Sequence, residues 1–210
     1  MRGVAAVEGQ VCFDVIRRCE KKKPRDYGEK EACVRRLLVL GLCLGLAGCT
    51  VTVHPARFRP DSSVRTRSPV SISLEAVRYV PADEGKLAPN QFEFNKAGKL
   101  VFEKPLAGYV RQCLEREIDA SGFTAGASGK KLTVAITRAH LADNFTNLEL
   151  YLEMTWKLEA DGKTVEKKLR ASRKHFVYGS QKKAEDLNAM ITELYENFFT
   201  DPEVKPLLMA

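Results

Sequence analysis

The region between residues 131 and 178 shows a regular alternation of apolar and polar side chains. In the stretch NLELYLEMTWKLEA, six apolar side chains alternate with the six residues that separate them. A period of two is typical of a β-strand with one buried face. Asp161-Gly162 follows as a hairpin turn. Shorter alternations predict strands at about 70–80, 131–139 and, returning from the hairpin, 164–178.

Two other segments place apolar residues at intervals of three and four, which predicts amphipathic helices. The first spans about residues 105–121, with Pro105 in its first turn and Gly122 at its C-terminal end. The second spans about residues 181–199, and Asp201-Pro202 begins a short terminal helix. The residues predicted to face the core are Leu106, Val110, Cys113, Leu114 and Ile118, then Ala184, Leu187, Ile191, Leu194, Tyr195 and Phe198, and finally Val204, Leu207 and Leu208.

The order of these elements is strand, helix, three strands, helix, which predicts an α+β fold. One face of a sheet can bury the apolar stripes of both helices. We therefore expect a two-layer sandwich, with a mostly antiparallel four-stranded sheet and two amphipathic helices on one face. The strand at 70–80 is expected to pair parallel with the strand at 131–139, across the helix. Residues 81–104 are expected to form a long loop with short extended pieces at 92–94 and 100–102.

The stretch RRLLVLGLCLGLAGCT, residues 35–50, breaks with this patterning. Its apolar run, Leu37–Ala47, has eleven residues, fewer than the roughly 20 that span a bilayer. A buried core helix is the alternative, but the run has no polar face, and Gly41 and Gly45 within it and Gly48 just after it weaken it as a helix. Two arginines, a short apolar run and small residues before a cysteine are typical of a secretory signal peptide.

The end of this run, Leu46-Ala47-Gly48-Cys49, resembles the lipobox of bacterial lipoproteins. In that family a diacylglycerol is attached to the cysteine thiol, the signal is cut before the cysteine, and the new amino group is acylated. The resemblance implies cleavage between Gly48 and Cys49 and lipidation, as with palmitate, at Cys49. An ordinary buried cysteine is the alternative.

Cleavage at this point divides the chain into four predicted parts. Residues 1–33 have no sustained apolar period, so we expect a non-globular extension and take translation from Val34 as a hypothesis. Residues 34–48 are the predicted lipoprotein signal peptide. Residues 49–69 are rich in Pro, Ser and Arg, which is typical of a flexible tether. Residues 70–210 are then the predicted periplasmic α+β domain.

Cleavage also changes the charge and the cysteine count. The chain carries 34 Lys and Arg against 27 Asp and Glu, but residues 1–48 hold ten against six, which leaves 24 against 21. Such a near balance, with the two signs interspersed, gives no indication of a nucleic-acid partner. Of the six cysteines only Cys49 and Cys113 remain, so the pattern has no disulfide framework and no zinc spacing. We expect Cys113 to be a core residue, with a reactive thiol as the alternative.

The sequence contains no recognisable catalytic constellation. Of its three histidines, His54 lies in the predicted tether, while His140 and His175 end predicted strands that we expect to be neighbours. Two histidines without a carboxylate cluster are a weak metal site. There is no Gly-x-Ser-x-Gly elbow, and GASGKK, residues 126–131, lacks the spacing of a phosphate-binding loop. We therefore expect a non-enzymatic protein with no cofactor and no metal.

Two surface features are candidates for binding. The first is a basic set on the last strand, suited to anionic lipid headgroups; the alternative is a solvated strand edge protected by lysines. The second is an aromatic group near the end of the last long helix, which indicates either a partner contact or core packing. The basic set is Lys167, Lys168, Arg170, Arg173 and Lys174, and the aromatic group is Tyr195, Phe198 and Phe199.

The order of segments, together with the lipobox, resembles that of the YajG-type family of bacterial outer-membrane lipoproteins. The likeness covers about residues 65–205 and is carried by VRQCLEREIDASGF, KLTVAITRAHLAD, LYLEMTWKLEADGKTVEKKLRAS and KKAEDLNAMITELYENFFTDPEV. It implies a lipid anchor on the periplasmic face of the outer membrane, in agreement with Thr50, rather than aspartate, after the cysteine. It implies no catalytic residue.

From these observations we expect a non-enzymatic binding or assembly factor of the cell envelope. Its expected partners are membrane lipid, through acylated Cys49, and an envelope protein. The alternative is an auxiliary lipoprotein of an envelope lipid or solute transporter, for which we expect a pocket between sheet and helices large enough for an acyl chain.

Overall fold

The computed structural model describes residues 50–66, 70–95, 99–125, 129–143, 147–175 and 180–209. The chain divides into two units, Met1–Gly48 and Cys49–Ala210, and every described residue belongs to the second. The buried apolar side chains of the described residues extend from Val53 to Leu208. The second unit therefore has a hydrophobic core of its own, as a domain requires.

Eight strands and four helices make up the described chain. In chain order they are β1 (Thr50–Val53), β2 (Ser71–Tyr79), α1 (Val80–Asp83), β3 (Gln91–Phe94), β4 (Lys99–Phe102), α2 (Leu106–Ala120), β5 (Thr124–Ala125), β6 (Lys130–Asp143), β7 (Leu148–Ala160), β8 (Lys163–His175), α3 (Ser180–Phe199) and α4 (Lys205–Met209).

The sheet is organised around β6, which is its longest strand. One edge of β6 pairs antiparallel with β7 from Lys131 to Asp143, and β7 pairs antiparallel with β8. The other edge of β6 pairs parallel with β2 and, further along, parallel with β3. Beyond these, β5 lies parallel to β2, β4 lies antiparallel to β3, and β1 lies parallel to β4. The result is a mixed sheet.

One face of the sheet is covered and the other is open. Along β7 the even-numbered side chains from Leu150 to Ala160 are buried, whereas the odd-numbered ones are partly exposed. Trp156 on the covered face stacks on Phe198 of α3, with ring centroids 5.1 Å apart. The alternation that identified this strand in the sequence therefore separates core from solvent, as expected for a half-buried strand.

The helices bury the stripes that the sequence predicts for them. Every residue predicted to face the core in α2, α3 and α4 is buried. Helix α2 ends as predicted, because Gly122 adopts a φ of 84° and its N–H bonds to the carbonyl of Asp119, an arrangement that favours glycine. No helix among the described residues has the length and hydropathy needed to cross a membrane.

The predicted fold class is wrong in two respects. The four long strands occur where expected, with β2 parallel to β6, but the sheet has eight strands and is mixed rather than mostly antiparallel. There are also four helices instead of the two of the predicted sandwich: the short terminal helix expected after Asp201-Pro202 is present as α4, and α1 was not expected. The additional strands β1, β3, β4 and β5 have only two to four residues each, too few to display a period of two. They add three parallel pairings to the one expected.

The segment predicted as a flexible tether, residues 49–69, is attached to the domain over its described part, residues 50–66. Strand β1 pairs with β4, and the side chains of Val53, Phe58 and Ser62 are at most 5% exposed. The composition of this segment gave no sign of these contacts because its buried residues are spaced four to five apart and separated by exposed arginines.

Candidate functional site

The predicted lipidation and cleavage residues, Cys49 and Gly48, lie outside the described residues. The described chain begins at Thr50, at the start of β1. After β1, residues 54–66 follow the predicted site along the chain. We call this segment the strap.

The strap contacts both long helices. The Tyr109 hydroxyl of α2 donates to the carbonyl of Ala56 at 3.0 Å and also contacts the amide oxygen of Asn188 on α3. The Arg116 guanidinium donates to the carbonyl of Phe58 at 3.2 Å. The helices thus hold the strap by its main chain, which makes the attachment independent of most strap side chains.

A buried carboxylate, Glu117 of α2, is the centre of this attachment. Its side chain is fully buried and accepts the backbone N–H groups of Asp61 and Ser62 at 3.3 and 3.4 Å. The Thr192 hydroxyl of α3 donates to the same carboxylate at 2.7 Å. A buried polar group needs such partners because it has no water to bond, and these bonds connect Glu117 of α2 both to the strap and to α3.

The far end of the strap is fixed around Ser121, at the C-terminal end of α2. The Ser121 carbonyl accepts the backbone N–H of Thr66 at 2.9 Å. Its hydroxyl lies 3.5 Å from the Ser62 hydroxyl and accepts a hydrogen bond from the Tyr195 hydroxyl at 3.0 Å. The backbone N–H of Ser63 donates to Glu196 of α3. The strap is therefore bonded to the helices at both ends and in the middle.

The described residues form open cavities along the strap. One, of about 610 Å³, is lined by Arg57, Arg59 and Arg116 together with Phe58, Pro60, Asp119 and Ala120. A second, of about 500 Å³, lies on the α3 side, where Arg57, Arg59 and Arg173 line it together with the acidic groups of Asp61, Glu185, Glu193 and Glu196. A third, of about 320 Å³, is lined in part by Lys104 and Cys113. The cavity on the α2 side of the strap is thus mainly basic, whereas the cavity on the α3 side carries charges of both signs.

The predicted basic set on β8 does not form a single surface. Lys167 and Arg173 are on the helix-covered side, where Lys167 contacts Asp201 and Glu203 at 3.3 and 3.0 Å and Arg173 contacts Glu193 at 2.7 Å. The remaining members, Lys168, Arg170 and Lys174, are on the open face.

On the open face the three cations have acidic neighbours on β7. Lys168 lies 2.9 Å from Glu153, and Arg170 and Lys174 are in register with Glu153 and Glu149. Among the described strands β8 pairs only with β7, so it is an edge strand. The arrangement agrees with the alternative interpretation, an edge protected by lysines.

The histidines do not come together. His140 lies on β6 and His175 on β8, with β7 between them, so the expectation that they end neighbouring strands is wrong. His175 Nε2 contacts Asp186 at 2.8 Å, and His54 Nδ1 contacts Glu103 at 3.0 Å. Among the described residues no group of three or more His, Cys, Asp or Glu side chains is arranged to hold a metal ion.

His140 belongs to a small charged group on the open face. Its Nδ1 lies 3.3 Å from Glu93 Oε2, but the angles are not those of a hydrogen bond. Glu93 accepts instead from Arg138 at 2.8 Å, and this bond lowers the pKa of Glu93. Burial lowers the pKa of His140 below its usual 6.5, against the opposing charge of Glu93.

Cys113 and the aromatic group are part of the core. Cys113 is 1% exposed, and burial raises the pKa of its thiol to about 12, so the thiolate needed for reaction is scarce. Phe199 is 3% exposed and stacks on Tyr195, with ring centroids 4.4 Å apart. Core packing, rather than a partner contact, accounts for this aromatic group.

The residues that sequence reasoning missed are Arg57, Arg59, Arg116 and Glu117. The signal for the first two is present in HPARFRP, where exposed arginines alternate with a buried phenylalanine. An isolated alternation of three residues in a proline-rich segment is too short to predict a strand. Arg116 and Glu117 occupy ordinary polar positions of a helix, and only the folded strap gives them a role.

Comparisons with known proteins give no family for this chain. No protein-family model matches it, and no curated protein matches it. Among solved structures it is similar to an uncharacterized protein, with 13% identity and a TM-score of 0.47 over 68% of this chain and 94% of that chain. A hypothetical protein from Chlamydia trachomatis has 8% identity and a TM-score of 0.47, over 63% of this chain and 99% of that chain.

A minor lipoprotein from Acinetobacter baumannii is also similar, with 15% identity and a TM-score of 0.38 over 65% of this chain and 94% of that chain. Identities and TM-scores at this level do not establish a family relationship. The resemblance to YajG-type lipoproteins therefore stays a prediction from the sequence.

Proposed function

We propose that this protein is a lipid-anchored protein of the cell envelope, held on the periplasmic side of the outer membrane, where it acts as a non-enzymatic binding or assembly factor. The observation that carries the proposal is the lipobox, Leu46-Ala47-Gly48-Cys49, which ends where the chain divides into its two units. Cleavage before Cys49 would release the second unit without dividing it.

The anchor follows from the chemistry of the thiol. Acylation at Cys49 adds hydrocarbon chains, and each buried CH₂ contributes about 0.8 kcal/mol to membrane attachment, so several chains together make release slow. Because β1 begins at Thr50 and the strap is fixed to the helices, the acylated residue would be joined to the domain with almost no free tether. The domain would then lie against the membrane surface.

A binding role is supported by the nature of the exposed surfaces. The open face of the sheet presents long charged and polar side chains of both signs on β6, β7 and β8. Surfaces of this kind favour specific contacts with a partner of complementary charge. The cavities along the strap add shallow concave sites with basic and acidic linings.

The alternative, an auxiliary lipoprotein of an envelope lipid or solute transporter, requires space for an acyl chain between sheet and helices. Over the described residues this interface is filled by large side chains, including Trp156, Tyr195 and Phe198, all fully buried. The binding or assembly role is therefore the function we propose.

The proposal is tested by metabolic labelling of the full chain in a bacterium with two membranes. Cells are fed an alkyne analogue of palmitate, and the protein is detected after coupling to a dye and separation of the two membranes. We expect a labelled product, shorter than the precursor, in the outer membrane. Cys49→Ser should abolish both the label and the processing because serine has no thiol to accept the diacylglycerol.

Cys113→Ala is the matched control, since it removes the other cysteine of the same unit without touching the lipobox. This variant should be labelled, should have the same size as the processed wild-type protein and should be found in the outer membrane. A labelled Cys49→Ser product, or wild-type protein without label, would contradict the proposal.

A further inference from the structure

The strap presents three arginines around one cavity, and together they form what we call the arginine site: Arg57, Arg59 and Arg116. Arg57 and Arg59 are exposed on either side of Phe58, which is buried against the helices. The extended alternation therefore directs the two arginines outward, away from the core. Arg116 comes from α2 and is tied to the strap through the carbonyl of Phe58.

Within the described part of the chain these three guanidinium groups have no carboxylate at ion-pair distance. In contrast, Arg78, Arg111, Arg138 and Arg173 contact Asp83, Glu115, Glu93 and Glu193, respectively, at 2.7 to 3.0 Å. Asp119 is the carboxylate that lines this cavity. Arg57 and Arg59 also line the neighbouring cavity with Asp61, Glu185, Glu193 and Glu196, but within the described residues none of these carboxylates pairs with the three guanidinium groups. The site therefore has unused capacity for an anion, whereas the basic strand β8 is largely neutralised.

Guanidinium groups bind phosphate oxygens through paired N–H donors, with better geometry than lysine offers. Phe58 and Pro60 add apolar surface to the lining of the cavity. The site is open rather than enclosed, and this suits the headgroups of a surface more than a small molecule that must be surrounded.

The position of the site relative to the anchor decides which anion source fits. Arg57 follows Cys49 by eight residues, so at about 3.5 Å per residue the two lie within about 28 Å of each other. The intervening chain is held to the domain by β1 and the strap. A membrane that receives the acyl chains would thus be within reach of the arginines.

We propose that the arginine site binds the phosphate groups of an anionic membrane surface, as a second attachment beside the lipid anchor. The inference rests on the proposed function for the presence of that membrane. A single basic residue near an anionic surface strengthens binding by about fivefold, so three give about a hundredfold. Together with the acyl chains they fix the orientation of the domain, with the helices towards the lipid and the open sheet face away from it.

The test uses the unit from Thr50 to Ala210 without any lipid, so that binding depends on the arginines alone. The unit contains its own core, and its charge is nearly balanced, so general attraction to an anionic surface is small. Sedimentation with vesicles of phosphatidylcholine and phosphatidylglycerol in equal parts measures the partition coefficient. We expect binding that falls about a hundredfold in the triple variant Arg57→Gln, Arg59→Gln, Arg116→Gln.

The matched control is the triple variant Lys168→Gln, Arg170→Gln, Lys174→Gln, which removes the same charge from the open sheet face. It should bind within about threefold of wild type, since its cations already have acidic neighbours. An equal decrease in vesicle binding for the two triple variants would mean that binding depends on net charge alone, and would overturn the inference. Circular dichroism spectra and thermal midpoints establish that both variants are folded.

A soluble phosphate ligand is distinguished by titration with inorganic phosphate, followed by NMR of the same unit. Shifts at the arginine site without vesicle binding would assign the site to a free anion and overturn the membrane assignment. Failure of the unlipidated unit to bind vesicles, with Cys49 still labelled in cells, would remove this inference and leave the proposed function intact.

Discussion

The environment of a side chain, rather than its chemical type, decides its role at the residue scale. Glu115 and Glu117 are two positions apart in α2, yet Glu115 is exposed and pairs with Arg111, whereas Glu117 is fully buried. The difference arises from the strap, whose backbone N–H groups bond to Glu117. No pattern within the helix itself distinguishes the two.

We expect Glu117→Ala to lower the free energy of unfolding by about 2–3 kcal/mol, because it leaves buried N–H and hydroxyl donors without an acceptor. Glu117→Gln retains one acceptor oxygen and should cost about 1 kcal/mol. Urea unfolding of the Thr50–Ala210 unit measures both values. Equal losses in the two variants would contradict the role of the carboxylate as the centre of the attachment.

The same variants offer a second readout in Cys113, which is the only cysteine of that unit. Its buried thiol lines the cavity beneath the strap, so a thiol reagent should react slowly with the folded wild type. If Glu117 holds the strap down, the rate under native conditions should rise in Glu117→Ala more than in Glu117→Gln.

Local periodicity is informative at the element scale where an element is long. The strands β6, β7 and β8 have 13 or 14 residues each, and their alternation fixes which face is buried. The hairpin between β7 and β8 is also determined by local sequence, since Asp161 and Gly162 have φ values of 51° and 73°. Two consecutive positive values match the twist of the flanking strands.

Gly162→Ala should destabilise the unit by about 1 kcal/mol, because alanine is strained at positive φ. Gly108→Ala, within α2, is the matched control. A Cβ at either position would meet nothing within 4 Å, so packing does not distinguish them. Position 108 lies in the first turn of α2, where the change should stabilise by up to about 0.5–1 kcal/mol because alanine loses less backbone entropy than glycine in a helix.

The two glycine variants are compared by thermal and urea unfolding of the same unit. Opposite signs are the expected result. A Gly162→Ala variant as stable as wild type would mean that the turn relaxes to another conformation, and the assignment of a strained position would be wrong.

The molecule as a whole couples elements that are distant in sequence through charged groups. Glu93 on β3 bonds to Arg138 on β6 beside His140, whose ring packs against Tyr151 of β7 at a centroid distance of 6.0 Å. The pKa values of Glu93 and of His140 are both lowered, by the bond from Arg138 and by burial, respectively. The folded state therefore binds fewer protons here than the unfolded chain does.

Both shifts predict that acid weakens the fold. The contribution of His140 is complete above pH 6.5 and is lost as the pH falls below that value; the contribution of Glu93 is lost below about pH 4.5. We expect His140→Gln to flatten the decline in unfolding free energy between about pH 6.5 and 5. Urea unfolding at a series of pH values measures the two slopes, and identical slopes would contradict a lowered pKa at His140.

The sequence by itself determined the four long strands, both long helices, the parallel pairing of β2 with β6, and the turn at Asp161-Gly162. Each of these depends on a repeat or a turn signal within a few residues, and such signals persist whatever the rest of the chain does. The burial of Cys113 was predictable in the same way, from its place on an apolar stripe.

The sequence also indicated the extended pieces that become β3 and β4, but only the tertiary structure decided how the short strands pair, the attachment of the strap and the arginine site. Strands of two to four residues form because a neighbouring strand offers hydrogen bonds, and the strap is held by Glu117 and Ser121, more than 50 residues further along the chain. Arg57 and Arg116 likewise meet at one cavity because of how the strap crosses α2. Contacts between distant segments leave no period in either segment, so they are settled by packing rather than by local pattern.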